Sequence, residues 1–349
     1  MESKMTAKLL RDGALRLKEN FAHWFASLEN QTLLISGGSG LIGSIFISVL
    51  LRNVKNIKIY CTTRNKKRAL ERFQTLGISI NPQCDSLMFI EDYKECLEKI
   101  DYLLCCASPT QSQYFVDSPV ETIETIYQHT KDLLELARKN QSKKIVFLST
   151  MEVYGETKEK NVREEDLGVL PVLNPRNCYP AAKRLCEHLM IAYAAQYSLN
   201  ICILRLSQVI GAGVSKEDQR VYMAFLNQAL EKGEITLLTK GETKRNYLDV
   251  FDASSGILLG LLDKNTTGIY NLANPNIFIS ILELAKQIAK EVGSKKGIEI
   301  PIKQCQKANL SAFLPPFERS LDTSKLQNLG WKPLFSLEES IGSMLESLE

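Results

Sequence analysis

The sequence predicts an α/β fold, a doubly wound parallel sheet with a smaller C-terminal α/β lobe. Three observations predict it. Short apolar runs alternate with amphipathic stretches from Thr32 to Arg205, the pattern of strands joined by crossover helices. Gly37, Gly40 and Gly43 stand between the first apolar run, Thr32–Ser36, and an apolar-rich helical run, Leu41–Leu51. Small and polar residues then follow the later apolar runs, at the carboxyl edge where open parallel sheets bind ligands.

Composition sets the outer limits. With 349 residues, 44% of them hydrophobic, the chain is long enough for a large core and an appended lobe. The net charge of +3 is spread too evenly to point to nucleic acid. No apolar run approaches the roughly 20 residues that span a bilayer. Met1–Asn30 is charged and mixed, with no signal-peptide pattern, so the cytoplasm is the expected compartment. The nine cysteines include no C-x-x-C, and His23, His129 and His188 fall on predicted helices without evident partners; no metal site is expected.

Residues 1–30 carry Leu9, Leu10, Leu15, Leu17, Phe21, Trp24, Phe25 and Leu28 in a helical pattern that Gly13 interrupts. An extra helix docked on the domain, or a dimer contact, is expected; a membrane-surface helix fits less well, because acidic residues alternate with basic ones. The glycine turn follows. Its first glycine permits the tight turn, its second lets the backbone approach a pyrophosphate, and its third lets helix and strand pack closely. The helix N-terminus adds free N–H groups and a positive dipole end. Gly37, Ser39, Gly40, Leu41, Ile42 and Gly43 are therefore candidate dinucleotide-binding residues.

A second strand, Ile57–Thr62, runs into Thr63-Arg64-Asn65 with no acidic residue. An acid there would bond the ribose 2′-hydroxyl of NAD, whereas an arginine accommodates the 2′-phosphate of NADP. Arg64 thus favours NADP over NAD, although stacking on adenine would also explain it. A third strand, Leu87–Ile90, ends at Glu91-Asp92, and a buried strand from Asp101 ends in Ala107-Ser108. Val120–Asn140 reads as a long amphipathic helix and Lys144–Thr150 as the fifth strand, followed by Met151-Glu152-Val153-Tyr154-Gly155. Tyr179 and Lys183 then stand in Y-x-x-x-K spacing, on one helix face. A free tyrosine is a poor base near neutrality, and an ammonium one turn away stabilises its phenolate.

The G-x-x-G-x-x-G turn, the strand end Ser149–Gly155 and the Tyr179/Lys183 pair together resemble an extended short-chain dehydrogenase/reductase. The resembled branch is the NAD-dependent epimerase/dehydratase family of nucleotide-sugar enzymes, with a Rossmann-type sheet. The resemblance runs from about Gln31 to the C-terminus. It implies that Asp92 binds the adenine amino group and that Ala107 and Ser108 line the cofactor. Ile126 and His129 depart from the asparagine and glycine often found there. The segment Gly241-Glu-Thr-Lys-Arg245 through Asp252 also matches, as do Gly268–Asn274 and Leu321–Pro333. Arg245 and Arg220 are candidate diphosphate clamps, since arginine forks match phosphate oxygens. Gln208 and Arg319 are further candidates for substrate contact. Residues 31–205 plus about 246–264 are expected to form the dinucleotide domain, and about 206–245 plus 265–349 the substrate lobe.

The resemblance implies oxidation of a sugar C4 hydroxyl: Tyr179 takes the proton, Thr150 hydrogen-bonds the same oxygen, and the nicotinamide receives hydride. The C4 ketone then leads to decarboxylation, dehydration or epimerisation, with the cofactor regenerated. Dehydratases carry an acidic residue where this chain has Met151, and a thioether donates no proton. General acid–base help is worth roughly 10²–10⁴ in rate, so Met151 argues against a 4,6-dehydratase. Glu152 and the Asp218–Val221 segment resemble the UDP-glucuronate decarboxylases, which is the favoured reading; a 4-epimerase is the alternative. A reductase releasing oxidised cofactor, and a cofactor-binding sensor, stay open because fold does not guarantee activity. A homodimer through Val120–Asn140 and Tyr179–Gln196 is implied by the resemblance alone.

Overall fold

The computed structural model describes residues 2–78, 86–96, 98–305 and 316–348. The strands are β1 (Thr32–Ser36), β2 (Lys58–Thr62), β3 (Leu87–Ile90), β4 (Tyr102–Cys105), β5 (Lys144–Thr150), β6 (Asn161–Val162) and β7 (Ile201–Leu206). They continue with β8 (Gln208–Ile210), β9 (Ile235–Leu237), β10 (Lys244–Asp249), β11 (Gly268–Leu272), β12 (Phe278–Ser280), β13 (Ile302–Gln304) and β14 (Glu318–Leu321). The helices are α1 (Glu2–Ala26), α2 (Leu41–Asn53), α3 (Lys66–Thr75), α4 (Ser112–Asp117), α5 (Pro119–Asn140) and α6 (Cys178–Tyr197). After them come α7 (Val221–Lys232), α8 (Val250–Leu262), α9 (Ile281–Lys296), α10 (Ser324–Gln327) and α11 (Leu337–Ser347).

Seven strands form one parallel sheet in the order β11-β7-β5-β4-β1-β2-β3. Its direction of winding reverses between β1 and β4, so the carboxyl ends of those two strands flank a crevice. One face is covered by α1, α2 and α8, where Phe46, Val49, Phe251, Ile257 and Trp331 are buried. The other is covered by α5 and α6, which bury Leu133, Leu134, Cys186 and Met190. Burial on both faces explains the near-continuous apolar runs of β1, β5 and β7.

The smaller lobe has its own apolar core, including Tyr222, Leu226, Leu284, Ile288, Ile341 and Met344. Its sheet runs β12-β10-β14-β6, with β8 also paired to β10. The strand at 244–249 therefore belongs here and not, as expected, to the large sheet; only the helix that follows it, α8, lies on that sheet. Conversely Gly268–Leu272, expected in the lobe, is the outer strand of the large sheet, beside β7. Both differences come from strand pairing across long sequence gaps, which local pattern does not encode.

The N-terminal helix corrects one expectation. Gly13 does not interrupt it; the non-helical residue is Phe21. A Cβ at Gly13 would lie 2.3 Å from the Phe251 ring, so the glycine serves close helix–helix approach. Leu10, Leu17, Phe21, Trp24, Phe25 and Leu28 are buried with α2 and α8, which makes α1 a docked helix. No helix among the described residues is long and apolar enough to cross a membrane. Eight of the nine cysteines are free thiols, and Cys84 lies outside the described residues.

Candidate active site

The glycine turn sits at the crevice between β1 and β4. Gly37 has φ +66°, and a Cβ on it would lie 2.7 Å from the Ala107 Cα. Ser36, at the end of β1, accepts hydrogen bonds from the Cys106 N–H (3.2 Å) and the Ala107 N–H (3.3 Å). These contacts bring the segment after β4, with Ala107 and Ser108, against the turn. A Cβ at Gly43 would lie 2.6 Å from the Gly38 Cα, so the third glycine seats α2 on the turn. Gly40 begins α2 with no side-chain cap, and Ser39, Leu41 and Ile42 around it are half-buried. The cradle fits a dinucleotide pyrophosphate: short backbone, uncapped helix N-terminus and no acidic side chain in the first turn.

Arg64 and Asp92 lie away from this turn, beyond the carboxyl ends of β2 and β3, and both are exposed. Asn65 caps α3 by accepting from the Arg68 N–H at 2.9 Å, while Lys66 pairs with Glu95 at 2.6 Å. The Glu95 carboxylate also accepts from the backbone N–H of Asp92 at 3.0 Å. His129 has a partner that the sequence did not reveal: its Nδ1 lies 3.2 Å from the Tyr93 hydroxyl. Burial holds the His129 imidazole below its ordinary pKa; Asp132 opposes this and the Arg64 charge adds to it.

The reacting centre is built by α6 lying against β5. Lys183 Nζ donates to the Leu148 carbonyl at 2.8 Å and sits 4.6 Å above the Phe147 ring. One turn further, Glu187 accepts from Ser149 and Arg205. One turn back, Tyr179 lies near Thr150 and Ser108. Burial raises the Tyr179 pKa and the Glu152 charge raises it further, while Thr150, Arg176 and Ser108 pull the other way. Burial also lowers Lys183, to about 8, against the charges of Cys186, Cys105, Cys106 and Glu187. Lys183 therefore keeps most of its charge at neutral pH, beside a tyrosine still protonated.

Thr150 caps the short turn Met151–Tyr154, accepting from the Glu152 N–H at 3.2 Å. That turn points Glu152 and Met151 in different directions. Glu152 is about one-third exposed and pairs with Arg176. Met151 is 6% exposed and packs with Val153, Val162, Ala273, Leu321 and Phe317. The Arg176 guanidinium lies 5.3 Å from the Phe115 ring centroid, and Phe115 stacks on Tyr179 at 4.4 Å with 5° between the planes. Arg176 and Phe115 were missed in the sequence. Only the nearness of Arg176 to the Y-x-x-x-K motif hinted at it.

The substrate-lobe candidates occupy the far wall. Parallel pairing sets Arg245 on β10 beside Arg319 on β14. Arg319 donates to the Gly155 carbonyl; burial lowers its pKa and the Glu152 and Tyr154 charges oppose this. Among the described residues Arg245 leaves its Nε buried without a hydrogen-bond partner, and the hydroxyls of Tyr247 and Ser207 are in the same condition. Gln208 pairs in register with Tyr247, next to these groups. Arg220 does not extend toward Arg245. It forks back onto Asp218, with Nε at 2.9 and 3.0 Å from the two carboxylate oxygens. Among the described residues no cluster of His, Cys, Asp and Glu is arranged to hold a metal ion.

A sequence model described as the NAD dependent epimerase/dehydratase family matches residues 33–273. The chain belongs to this family. It is 30% identical over 327 residues to UDP-glucuronic acid decarboxylase 6 of Arabidopsis thaliana, covering 91% of this chain and 89% of that protein. It is 28% identical over 362 residues to UDP-glucuronic acid decarboxylase 1 of Xenopus tropicalis, covering 99% and 81%. Among solved structures, the UDP-glucuronic acid 4-epimerase of Bacillus cereus with UDP-glucuronic acid and NAD matches with TM-score 0.75 at 22% identity, over 91% and 99% of the two chains. DesIV, the dTDP-glucose 4,6-dehydratase of Streptomyces venezuelae, matches with TM-score 0.73 at 22% identity, over 91% and 96%. Those likenesses establish the Rossmann-type fold of this family member.

Proposed function

We propose that this family member is a UDP-glucuronate decarboxylase that works by transient oxidation at sugar C4. The observation that carries the reading is the divergence of Glu152 and Met151. A carboxylate faces Tyr179, while the neighbouring position, where a dehydratase needs an acid, is a thioether packed in an apolar cluster. The decarboxylase relatives along most of the chain support it.

In this reading the substrate C4 hydroxyl lies between Tyr179 and Thr150. Tyr179, ionised once the charge of Lys183 is joined by that of a bound oxidised nicotinamide, would take its proton as Thr150 hydrogen-bonds the same oxygen. Lys183, clamped on the Leu148 carbonyl, supplies the positive charge that steadies the phenolate. A nicotinamide cofactor, when bound, would supply a hydride acceptor for C4 and the means of returning that hydride. A C4 ketone makes the C6 carboxylate that of a β-keto acid. The C5–C6 bond then breaks, its electron pair moves toward the C4 oxygen to give an enolate, carbon dioxide leaves, and a proton added at C5 restores the C4 ketone that the returned hydride reduces. Arg245 and Arg319 serve the diphosphate side, with Gln208 and Tyr247 available to the nucleotide; Arg220 joins only by leaving Asp218.

Gly37, Ser39, Gly40, Leu41, Ile42 and Gly43 would hold the pyrophosphate, Ala107 and Ser108 the nicotinamide half, and Asp92 the adenine. Arg64, with no acid beside it, favours NADP over NAD. Comparing affinities for the two cofactors tests this, and equal or tighter NAD binding removes Arg64 from that role. A homodimer through α5 and α6 agrees with the exposure of Val120 and Ile123 on one helix and Leu185 and Ile191 on the other. A 4-epimerase is the second reading, favoured because Arg176 holds Glu152 and epimerisation needs no carboxylate at that point. Product mass after incubation with UDP-glucuronate, dTDP-glucose and UDP-N-acetylglucosamine separates the outcomes. Loss of carbon dioxide from the first supports the proposal; loss of water, or unchanged mass with a new chromatographic peak, replaces it.

A further inference from the structure

Four arginines of the site are tied to protein groups, and Arg245 stands on β10 beside one of them, Arg319. Arg205 spends its fork on Glu187 and a further nitrogen on the Glu164 carbonyl. Arg184 bonds the carbonyls of Val153 and Gly168. Arg220 is folded onto Asp218, and Arg319 is anchored on the Gly155 carbonyl. Arg176 differs in its partner: its one side-chain hydrogen bond among the described residues goes from Nη1 to the partly exposed Glu152 carboxylate, whose charge acts on Tyr179. Of its five N–H donors the others are uncommitted to protein groups there. Its side chain is 19% exposed, and its position is fixed from behind by the Phe115 ring, which itself rests on Tyr179.

We propose that Arg176 is the carboxylate-recognition residue of the site, held by Glu152 in the free protein and taken over by the C6 carboxylate of a uronate sugar. The inference rests on the reading of the substrate as a uronate nucleotide, and goes beyond it by naming the residue that selects the acid over the neutral hexose. The chemistry is an exchange of like for like. Glu152 presents to Arg176 the same group that a uronate carries, at a point next to Tyr179, where the sugar C4 oxygen would stand. Planar guanidinium and carboxylate match in shape as well as charge, and a neutral hydroxymethyl group cannot replace that partner. A site built for a charged group leaves its own arginine poorly paired when the analogue lacks it.

The same exchange suits bond breaking. An arginine that gripped the carboxylate throughout would stabilise the reactant. As the C5–C6 bond breaks and its electrons move to the C4 oxygen, the departing carbon dioxide carries no charge for Arg176. Glu152 is beside it to take the guanidinium back. The pair is partly exposed and singly bonded, so re-forming it requires only a side-chain rotation.

The test is equilibrium binding to cofactor-loaded protein of UDP-glucuronate, UDP-glucose and UDP. Wild-type protein is expected to bind UDP-glucuronate roughly tenfold or more tightly than UDP-glucose, the scale of one charge-assisted hydrogen bond. Arg176→Gln is expected to bring that ratio close to one with UDP affinity unchanged, and Arg176→Lys to restore part of it. Glu152→Gln, which removes the competing charge, is expected to tighten UDP-glucuronate binding severalfold and leave UDP-glucose unmoved. If Arg176→Gln lowers turnover while the binding ratio is kept, Arg176 only braces Glu152 and the proposal fails. A wild-type protein with no preference for the uronate also overturns it. If the ratio behaves as expected but the product retains C6, the decarboxylase reading fails and carboxylate recognition by Arg176 stands.

Discussion

Two arginine–glutamate pairs flank helix α6, and they are built differently. Glu187 and Arg205 have side chains 5% and 1% exposed. Arg205 Nε and Nη2 reach the two carboxylate oxygens at 2.9 and 2.7 Å, Ser149 donates to the same carboxylate, and the Tyr154 ring lies 4.8 Å from the guanidinium. Glu152 and Arg176 are 36% and 19% exposed and share one hydrogen bond. The first pair is a strut that ties α6 to β7, with Ser149 adding β5, because separating buried charges leaves each unpaired in a poor solvent for it. The second is partly exposed to water and held by one hydrogen bond, so its partners exchange at lower cost. One pair sets geometry, and the other is free to take part in binding.

The sharpest test of that division concerns the residue that the strut orients. Tyr179→Phe should lower turnover by roughly 10²–10⁴, the worth of a positioned acid–base group, with an unchanged melting temperature. Retained turnover would show that α6 is held in place for some other purpose. Cutting the strut comes next. Glu187→Leu should destabilise the chain by about 3–5 kcal/mol, since Arg205 is left buried without its anion. Adding Arg205→Met should recover much of the loss in denaturant unfolding. A mild single variant, or a double variant no better than the single, would mean that the pair is not the strut described.

A third arrangement sharpens the contrast, because it lacks a matched arginine. Asp249 and Asp252 are buried near each other; burial raises both pKa values, the Asp249 charge raises Asp252 further, and Arg16 opposes least of the named causes. Each carboxylate is satisfied by dipoles instead. Asp249 accepts from the Phe251 N–H and Ser340, and Asp252 from the N–H groups of Leu334 and Phe335. With folded values above the unfolded one, the folded chain holds protons that the unfolded chain has released. The contribution of these two carboxyls to stability is then greatest at the acid end and falls as pH rises above about 4 through the raised values. Asp249→Asn should flatten that fall in melting temperatures taken across the range; parallel curves would remove these carboxyls from the pH response. The smallest effect belongs to an exposed pair. Arg163 lies 3.4 Å from Asp166 with its side chain 60% exposed, and Arg163→Ala should leave melting and turnover within error.

Much of the architecture was legible. The strands at 32–36, 87–90 and 144–150 fall where the apolar runs place them, because burial on both faces writes itself into a continuous run. The glycine turn and the Tyr179/Lys183 spacing are local signals, and the structure puts both at carboxyl edges of the sheet. What stayed hidden depends on contacts between distant residues. Gly13 looked like a break and is a close-approach point against Phe251. The pairing of Gly268–Leu272 with β7 has no local mark. Phe115 reaches Tyr179 across sixty-odd positions of chain that no spacing rule connects. Glu187 was recoverable, since it continues the face of Tyr179 and Lys183 by one more turn, but its meaning required Arg205 from another strand.

The most direct measurement is the fate of C6. UDP-glucuronate labelled at that carbon, incubated with the cofactor-loaded protein, should release one labelled carbon dioxide for each nucleotide sugar consumed. The remaining product should be a UDP-pentose without label, and reduced cofactor should not accumulate in proportion to product. Label retained in a UDP-hexuronate of unchanged mass would contradict the account and assign the chemistry of Tyr179 and Thr150 to epimerisation.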